Sequence, residues 1–424
     1  MKNLYNPYKT FKQDILELQP HIIGESSKYF DYTASGLAFK PIEKRIRRVL
    51  ETYANTHSYH SFNAKTTQYY YTQAKDIIRE CLNISDDFCI LPSGTGTTSA
   101  IKHLQQLLGI YLPPNTKKRL NLLPDDVPLV IVGPYEHHSN EVSFREALCD
   151  VIRVPLKDNV IDIDILNKIL FENQHREIIA SFSLVSNVTG VQSDYKTISN
   201  LVRQYKGFMC FDCAASSPYI NIDSCYYDAL VMSPHKLLGG PGSCGLLIVR
   251  KSAVECDKPS FAGGGTVDYV SKDYQIYLKD IETIEDPGTP GIIQLIRAAM
   301  SYKLRNDLGL EEIRSIKKAN SQYFTTRLLQ INNIDLYSPV YDNNGIISFN
   351  IKGTNPYDLC QYLSDDGFQT RAGCSCAGPY GHDLLQLTRD DVDLDFKPGW
   401  LRVSIHYSHN YNNIDNLLTR LNNF

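Results

Sequence analysis

The feature that most narrows the fold is a series of short apolar segments with no polar face. They are VPLVIVG at 127–133, EIIASFSLV at 177–185, GFMCFD at 207–212, DALVMS at 228–233 and CGLLIVR at 244–250. A strand half-exposed to water alternates apolar and polar residues, whereas one covered on both sides does not. Most of these runs are bounded by Gly, Pro or Asp. Helical spacing recurs elsewhere, at 41–53 with Pro41 in the first turn, at 66–82, and at 97–108 before Gly109. Doubly covered strands combined with helices predict an α/β domain built on a buried, mostly parallel sheet.

The texture changes near residue 300. A long helical pattern spans 292–317, with a break near 306–309. The strand-like GIISFNI (345–351) and WLRVSI (400–405) follow, then a helical pattern at 412–423. A chain of 424 residues has room for two domains. The expected division is a large α/β domain over 32–299 and a smaller α+β domain formed by 1–31 with 300–424. The proline-rich, charged stretch 113–126 reads as a surface insertion with no assigned role.

The net charge of −4 and pI near 6.3 give no basic field for nucleic acid or anionic lipid. Lys117-Lys118-Arg119 is too short to supply one. Eleven scattered cysteines, several in apolar runs such as those around Cys89 and Cys210, suit buried reduced thiols. Residues 1–20 have no apolar leader core and carry early acids, and no run approaches the ~18 apolar residues of a membrane helix. The expectation is a cytoplasmic protein without nucleic-acid or membrane partners.

Five places carry chemistry. Ser233-Pro234-His235-Lys236 closes an apolar run and leads into a turn with glycines at 239, 240, 242 and 245. A lysine there can be desolvated, which favours a nucleophilic, imine-forming amine; a surface lysine heading a loop is the plainer alternative. Asp212 ends another run, and in an open α/β sheet that position faces the ligand crevice, although an Asp capping a turn has the same appearance. Ser93-Gly94-Thr95-Gly96-Thr97-Thr98 opens a helix, where free N–H groups suit a phosphate or simply cap the helix. It is neither a dinucleotide fingerprint nor a Walker loop.

Glu136-His137-His138-Ser139-Asn140 follows the first run. His137 can stack on a flat ligand and carry protons. Adjacent histidines rarely share one metal ion, and no zinc-spaced ligand set accompanies them. His138 also fits a plain loop residue. Last, Arg371-Ala-Gly-Cys374-Ser-Cys376 places thiols beside a guanidinium, which favours a thiolate nucleophile. Inert thiols, a redox pair and half a metal site are the alternatives. Arg402, in an apolar strand, suits a bidentate grip on a carboxylate.

Taken in this order, the residues resemble the class V aminotransferase family, and within it the SUF-type cysteine desulfurases and selenocysteine lyases. The likeness runs from about Phe30 to the C-terminus, and Tyr29-Phe-Asp-Tyr-Thr-Ala-Ser is similar to the family's N-terminal motif. The resemblance implies fold type I and pyridoxal 5′-phosphate (PLP). It implies that Lys236 forms the Schiff base and that Asp212 partners the pyridine nitrogen. Gly96, Thr97, Thr98, Ser233 and His235 would hold the phosphate, His137 would stack on the ring, and Asn187 would lie near the 3′-oxygen. Thr266, in Gly264-Gly265-Thr266, would reach the phosphate of a second subunit, so a homodimer is implied. Arg371 and Arg402 would bind the substrate carboxylate, and Cys376, in the loop 371–378, would be the catalytic thiol.

The implied reaction converts L-cysteine to L-alanine and leaves sulfur as a persulfide on Cys376, for a sulfur-acceptor protein. Lys236 would take the Cα proton and His137 would carry protons. Two departures stand out. Ala215 replaces a family glutamine near the cofactor, and Cys374 replaces a residue that is often histidine. Another class V reaction (aminotransferase, lyase or epimerase) and a non-catalytic scaffold are the competing readings, because fold does not fix function.

Overall fold

A computed structural model describes residues 4–56, 60–119, 127–254, 257–388 and 399–424. Its first nine strands are β1 (Phe88–Ser93), β2 (Leu129–Val132), β3 (Asp150–Arg153), the short hairpin β4 (Leu156–Lys157) and β5 (Val160–Ile161), β6 (Ile178–Ser183), β7 (Phe208–Asp212), β8 (Ala229–Met232) and β9 (Gly245–Arg250). Seven of them form one sheet in the order β1-β9-β8-β7-β6-β2-β3. From β3 to β8 every neighbouring pair is parallel, and β9 runs against both its neighbours.

Both faces of this sheet are covered, which is why its strands show no polar side. In β9, Leu246 and Ile248 enter one core cluster and Leu247 and Val249 the other; Leu129 and Ile131 of β2 likewise oppose Val130 and Val132. One face packs on the helices Lys40–Leu50, Phe62–Leu82 and Ile292–Leu308, through side chains such as Ile42, Ala74 and Leu295. The other packs on Thr97–Leu107 and His138–Arg145, through Ala100, Leu104 and Phe144.

The helical pattern at 292–317 resolves into two helices, Ile292–Leu308 and Leu310–Leu328. Gly309 separates them with φ +87°, a conformation that costs a side-chain-bearing residue energy. Helix Phe62–Leu82 begins a turn before the apolar spacing does, and Lys40–Leu50 stops three residues before the pattern ends. Strand β3 gives no comparable signal, because it lies at the sheet edge and Asp150-Val-Ile-Arg offers only two apolar residues. Of the stretch 113–126, residues Pro114–Lys117 form one short, largely exposed helical turn, and 120–126 lie outside the described residues.

The hairpin β10 (Val267–Val270) and β11 (Gln275–Tyr277) stands apart from both sheets. The second sheet contains β12 (Ile334–Leu336), β13 (Ile346–Ile351), β14 (Arg371–Gly373) and β15 (Trp400–Ser404), all antiparallel, in the order β12-β13-β15-β14. Phe349, Leu401 and Val403 pack there against Phe324 and Leu328 of one helix and Ile414 and Leu417 of the helix Tyr411–Asn422. The N-terminal arm serves both cores. Tyr8 and Phe11 join the larger one, whereas Phe30 joins the smaller and pairs its backbone with Gln369 and Ser404.

Candidate active site

The carboxyl ends of the parallel strands open into a pocket of about 380 Å³, where an open α/β sheet binds its ligands. Asp212 ends β7, and Lys236 closes the single turn Pro234–Lys236 after β8. The loops after β1, β2 and β6 bring Thr95–Thr98, His137 and Asn187 to the same space. The smaller sheet adds Arg371, Cys376 and Arg402. Ala215 lines the wall, with Ser183 and Asn187 as polar side chains in the same lining.

Lys236 sits at the pocket with its amine desolvated, which pulls its pKa down to about 8; Asp212 acts in the opposite sense. The Asp212 carboxylate is buried and accepts the Ala214 N–H at 2.8 Å. Burial raises its pKa, while that hydrogen bond and Lys236 oppose the rise. His137 caps the helix His138–Arg145, its Nδ1 accepting the Ser139 N–H at 3.1 Å. The ring proton is therefore assigned to Nε2. Burial, with Lys236 next, lowers the His137 pKa to about 4, so the imidazole is neutral at neutral pH. Beneath it Glu136 is buried, accepts N–H groups from Ser183 and Gly133, and is pushed up to about 7 by burial.

The turn before the helix Thr97–Leu107 is built by close backbone approach. No side chain caps the helix Thr97–Leu107 at Gly96. The Thr97 N–H donates to Ser233 Oγ at 2.9 Å, and the two hydroxyls are 2.8 Å apart. A Cβ on Gly96 would stand 3.0 Å from His235 Cε1, and one on Gly245 would stand 2.4 Å from the Gly96 carbonyl oxygen. A helix start with no cap from its own Gly96, convergent hydroxyls of Thr97 and Ser233, and a glycine cradle fit a phosphate. The desolvated amine and buried carboxylate fit an aromatic aldehyde with a basic ring nitrogen.

Among the site residues expected from sequence, Thr266 alone is not brought to this pocket. It is fully buried, and its hydroxyl donates to the Gly263 carbonyl at 2.8 Å. Cys376 reaches the pocket, whereas Cys374 is half-buried against the core. Ser375 and Cys376 both adopt left-handed backbone, with φ of 51° and 56°. Each costs of order 1 kcal/mol or more in a residue with a side chain, so the loop needs anchors. His138, left open by the sequence, supplies two. Its N–H donates to the Cys376 carbonyl at 2.7 Å, and its Nε2 accepts the Gly378 N–H at 2.9 Å. The Asn187 amide donates to the Ser375 carbonyl at 2.7 Å.

One residue that the sequence left without a role stands at the arginines. Arg371 and Arg402 are direct cross-strand partners on β14 and β15. Asp31 accepts from Arg371 Nη2 at 2.8 Å and from Arg402 Nη2 at 3.0 Å. It offsets two like charges that would otherwise face each other across the strands. The motif Tyr29-Phe-Asp was the available signal. Among the described residues no cluster of three or more His, Cys, Asp or Glu is placed to hold a metal.

Comparison with known proteins agrees with this architecture. The family model described as aminotransferase class-V matches residues 28–417. The chain is 30% identical over 318 residues to a probable cysteine desulfurase of Halalkalibacterium halodurans, covering 73% of each. It is 25% identical over 378 residues to one of Streptomyces coelicolor, covering 86% of each. Its fold is similar to an apo cysteine desulfurase of Thermococcus onnurineus (TM-score 0.79, 21% identity, 100% of this chain and 99% of that one). It is also similar to the Escherichia coli cysteine desulfurase CsdA (0.78, 21%, 99% and 98%). With a match that spans nearly the whole chain and a pocket that suits the cofactor, this protein belongs to the class V aminotransferases, PLP-dependent enzymes of fold type I.

Proposed function

We propose that this chain is a cysteine desulfurase that converts L-cysteine to L-alanine and keeps the sulfur as a persulfide on Cys376. The observation that carries the reading is the placement of the Cys376 thiol in the same pocket as Lys236 and Asp212. The relatives named as probable cysteine desulfurases support it.

Lys236 would hold PLP, and Thr97, Thr98, Gly96, Ser233 and His235 would seat its phosphate. Bound PLP supplies an electron sink that acidifies the substrate Cα–H. Asp212, kept ionised by a cationic partner, would hold a proton on the cofactor's ring nitrogen. His137 would lie against the cofactor and Asn187 would donate to it, while the Asn187 amide also holds the Ser375 carbonyl. Arg371 and Arg402 bind the α-carboxylate, with Asp31 fixing their orientation behind them. Lys236 takes the Cα proton as a neutral amine, the form favoured by its lowered pKa. Cys376, as thiolate, attacks the substrate sulfur. The Cβ–S bond breaks as the S–S bond forms, and the carbon fragment leaves as alanine after protonation. His137 Nε2 is the proton carrier beside these atoms.

The test is the visible absorbance of the purified protein with and without L-cysteine, with alanine followed alongside. The reading expects a cofactor band that Lys236→Ala abolishes, and alanine release only with L-cysteine. A cofactor band without alanine would favour another class V reaction, and a protein that never takes up PLP would favour the scaffold.

The active unit is a homodimer in which the segment Gly264-Gly265-Thr266 would face the second subunit, with Gly264 exposed and the Thr266 hydroxyl holding the turn from within. The exposed apolar side chains Tyr269, Val270, Tyr274 and Ile276 on the adjoining hairpin support this. Sedimentation should give twice the chain mass, and a monomer with full activity would refute it. The product persulfide requires a sulfur acceptor, a protein thiol. Ten free cysteines among the described residues support a reducing, cytoplasmic setting. Among the described residues no helix is long and apolar enough to cross a membrane.

A further inference from the structure

A second cavity, also about 380 Å³, lies between the helix Leu310–Leu328 and the turn before β13. It shares no lining residue with the pocket described above. Lys317 lines it and is only 5% exposed. Among the described residues, Lys317 makes no hydrogen bond or ion pair. Its Nζ instead stands 3.0 Å from the centroid of the Tyr219 ring, and its side chain is pressed against Gly345, where a Cβ would meet Cε at 2.6 Å.

A buried amine without a counter-charge either carries an unfavourable charge or gives up its proton. A methionine would fill the same space with none of that cost, and among the described residues only the Tyr219 ring face compensates the amine, so its N–H donors stay open to an anion entering the cavity. The surrounding charges say which kind. Arg314 and Lys318 stand at the rim, paired with Glu311 at 3.3 Å and Asp342 at 2.9 Å. Both acidic residues of the lining are thus engaged by exposed cations, and the buried amine keeps no carboxylate partner among the described residues. Burial alone holds that amine well below the ordinary lysine range, so an anion seated beside it would restore its charge.

We propose that this cavity binds a small oxyanion, a carboxylate or phosphate group seated on the Lys317 ammonium. The volume suits a small metabolite and excludes a folded partner. The site is separate from the chemistry at Lys236, so its test does not depend on the desulfurase reading.

The holoenzyme is titrated with inorganic phosphate and, separately, with malonate, and its unfolding temperature is followed. The proposal expects a saturable rise in wild type for at least one probe, and at least about tenfold weaker binding in Lys317→Met. That variant should keep the absorbance of its cofactor. Equal responses in both proteins would assign the anion to other cations, such as Arg371 and Arg402, and overturn the proposal, as would no response in wild type. If Lys317→Met does not fold, wild-type crystals soaked in selenate decide. An anomalous peak within hydrogen-bond reach of Lys317 Nζ supports the site, and a cavity without one refutes it.

Discussion

At the scale of single residues, the most informative group is Asp31. Two guanidiniums held opposite each other on neighbouring strands repel, and one carboxylate behind them leaves a net single positive charge. That balance matches a substrate with one carboxylate. Asp31→Asn keeps the shape and removes the charge, so the arginines lose alignment. We expect the KM for L-cysteine to rise about tenfold, the effect of losing one charge-assisted hydrogen bond, with a smaller change in kcat. An unchanged KM would show that Asp31 is only structural. Lys236 gives a second prediction. Its amine attacks the cofactor aldehyde only when neutral, and its pKa lies near 8. The rate of PLP uptake by the apo-protein should therefore climb with pH up to about 8 and then level off. A rate still climbing steeply toward the ordinary lysine pKa near ~10.4 would mean the amine is not desolvated. Lys236 and Asp212 were legible in sequence because each ends an apolar run. The pairing of Arg371 with Arg402 was not, because it depends on strand register that no local pattern records.

At the scale of elements, the loop carrying Cys376 is held from outside rather than by its own sequence. Two consecutive left-handed residues are unfavourable, and His138 and Asn187 fix both sides of them. His138→Ala should slow persulfide formation about 3- to 10-fold, the size of one lost hydrogen bond, while the cofactor spectrum and substrate α-proton exchange stay intact. Glutamine can offer an acceptor near the place of Nε2, so His138→Gln should recover part of the rate. Equal slowing of proton exchange would mean that His138 supports the whole pocket. Elements with strong periodicity, such as the doubly covered strands and the helices on either side of Gly309, could be read directly. The edge strand β3 and the Cys376 loop could not, because one is too short for a pattern and the other is set by tertiary contacts.

At the scale of the molecule, the candidate site draws on two sheets and an N-terminal arm that reaches both cores. In the proposed reaction Lys236 and Asp212 act from the parallel strand ends, whereas Arg371 and Arg402 act from the antiparallel sheet and Cys376 from the loop after β14. Motif order made the family and the cofactor legible over most of the length. The central claim is that Cys376 receives the sulfur. The most direct test is one turnover of the holoenzyme with L-cysteine, with alanine quantified and the peptide holding Cys374 and Cys376 fragmented by mass spectrometry. The account predicts one added sulfur on Cys376 for each alanine, and neither product in Cys376→Ala, which still binds PLP. Alanine formed at the wild-type rate by Cys376→Ala, or sulfur found first on Cys374, would contradict it.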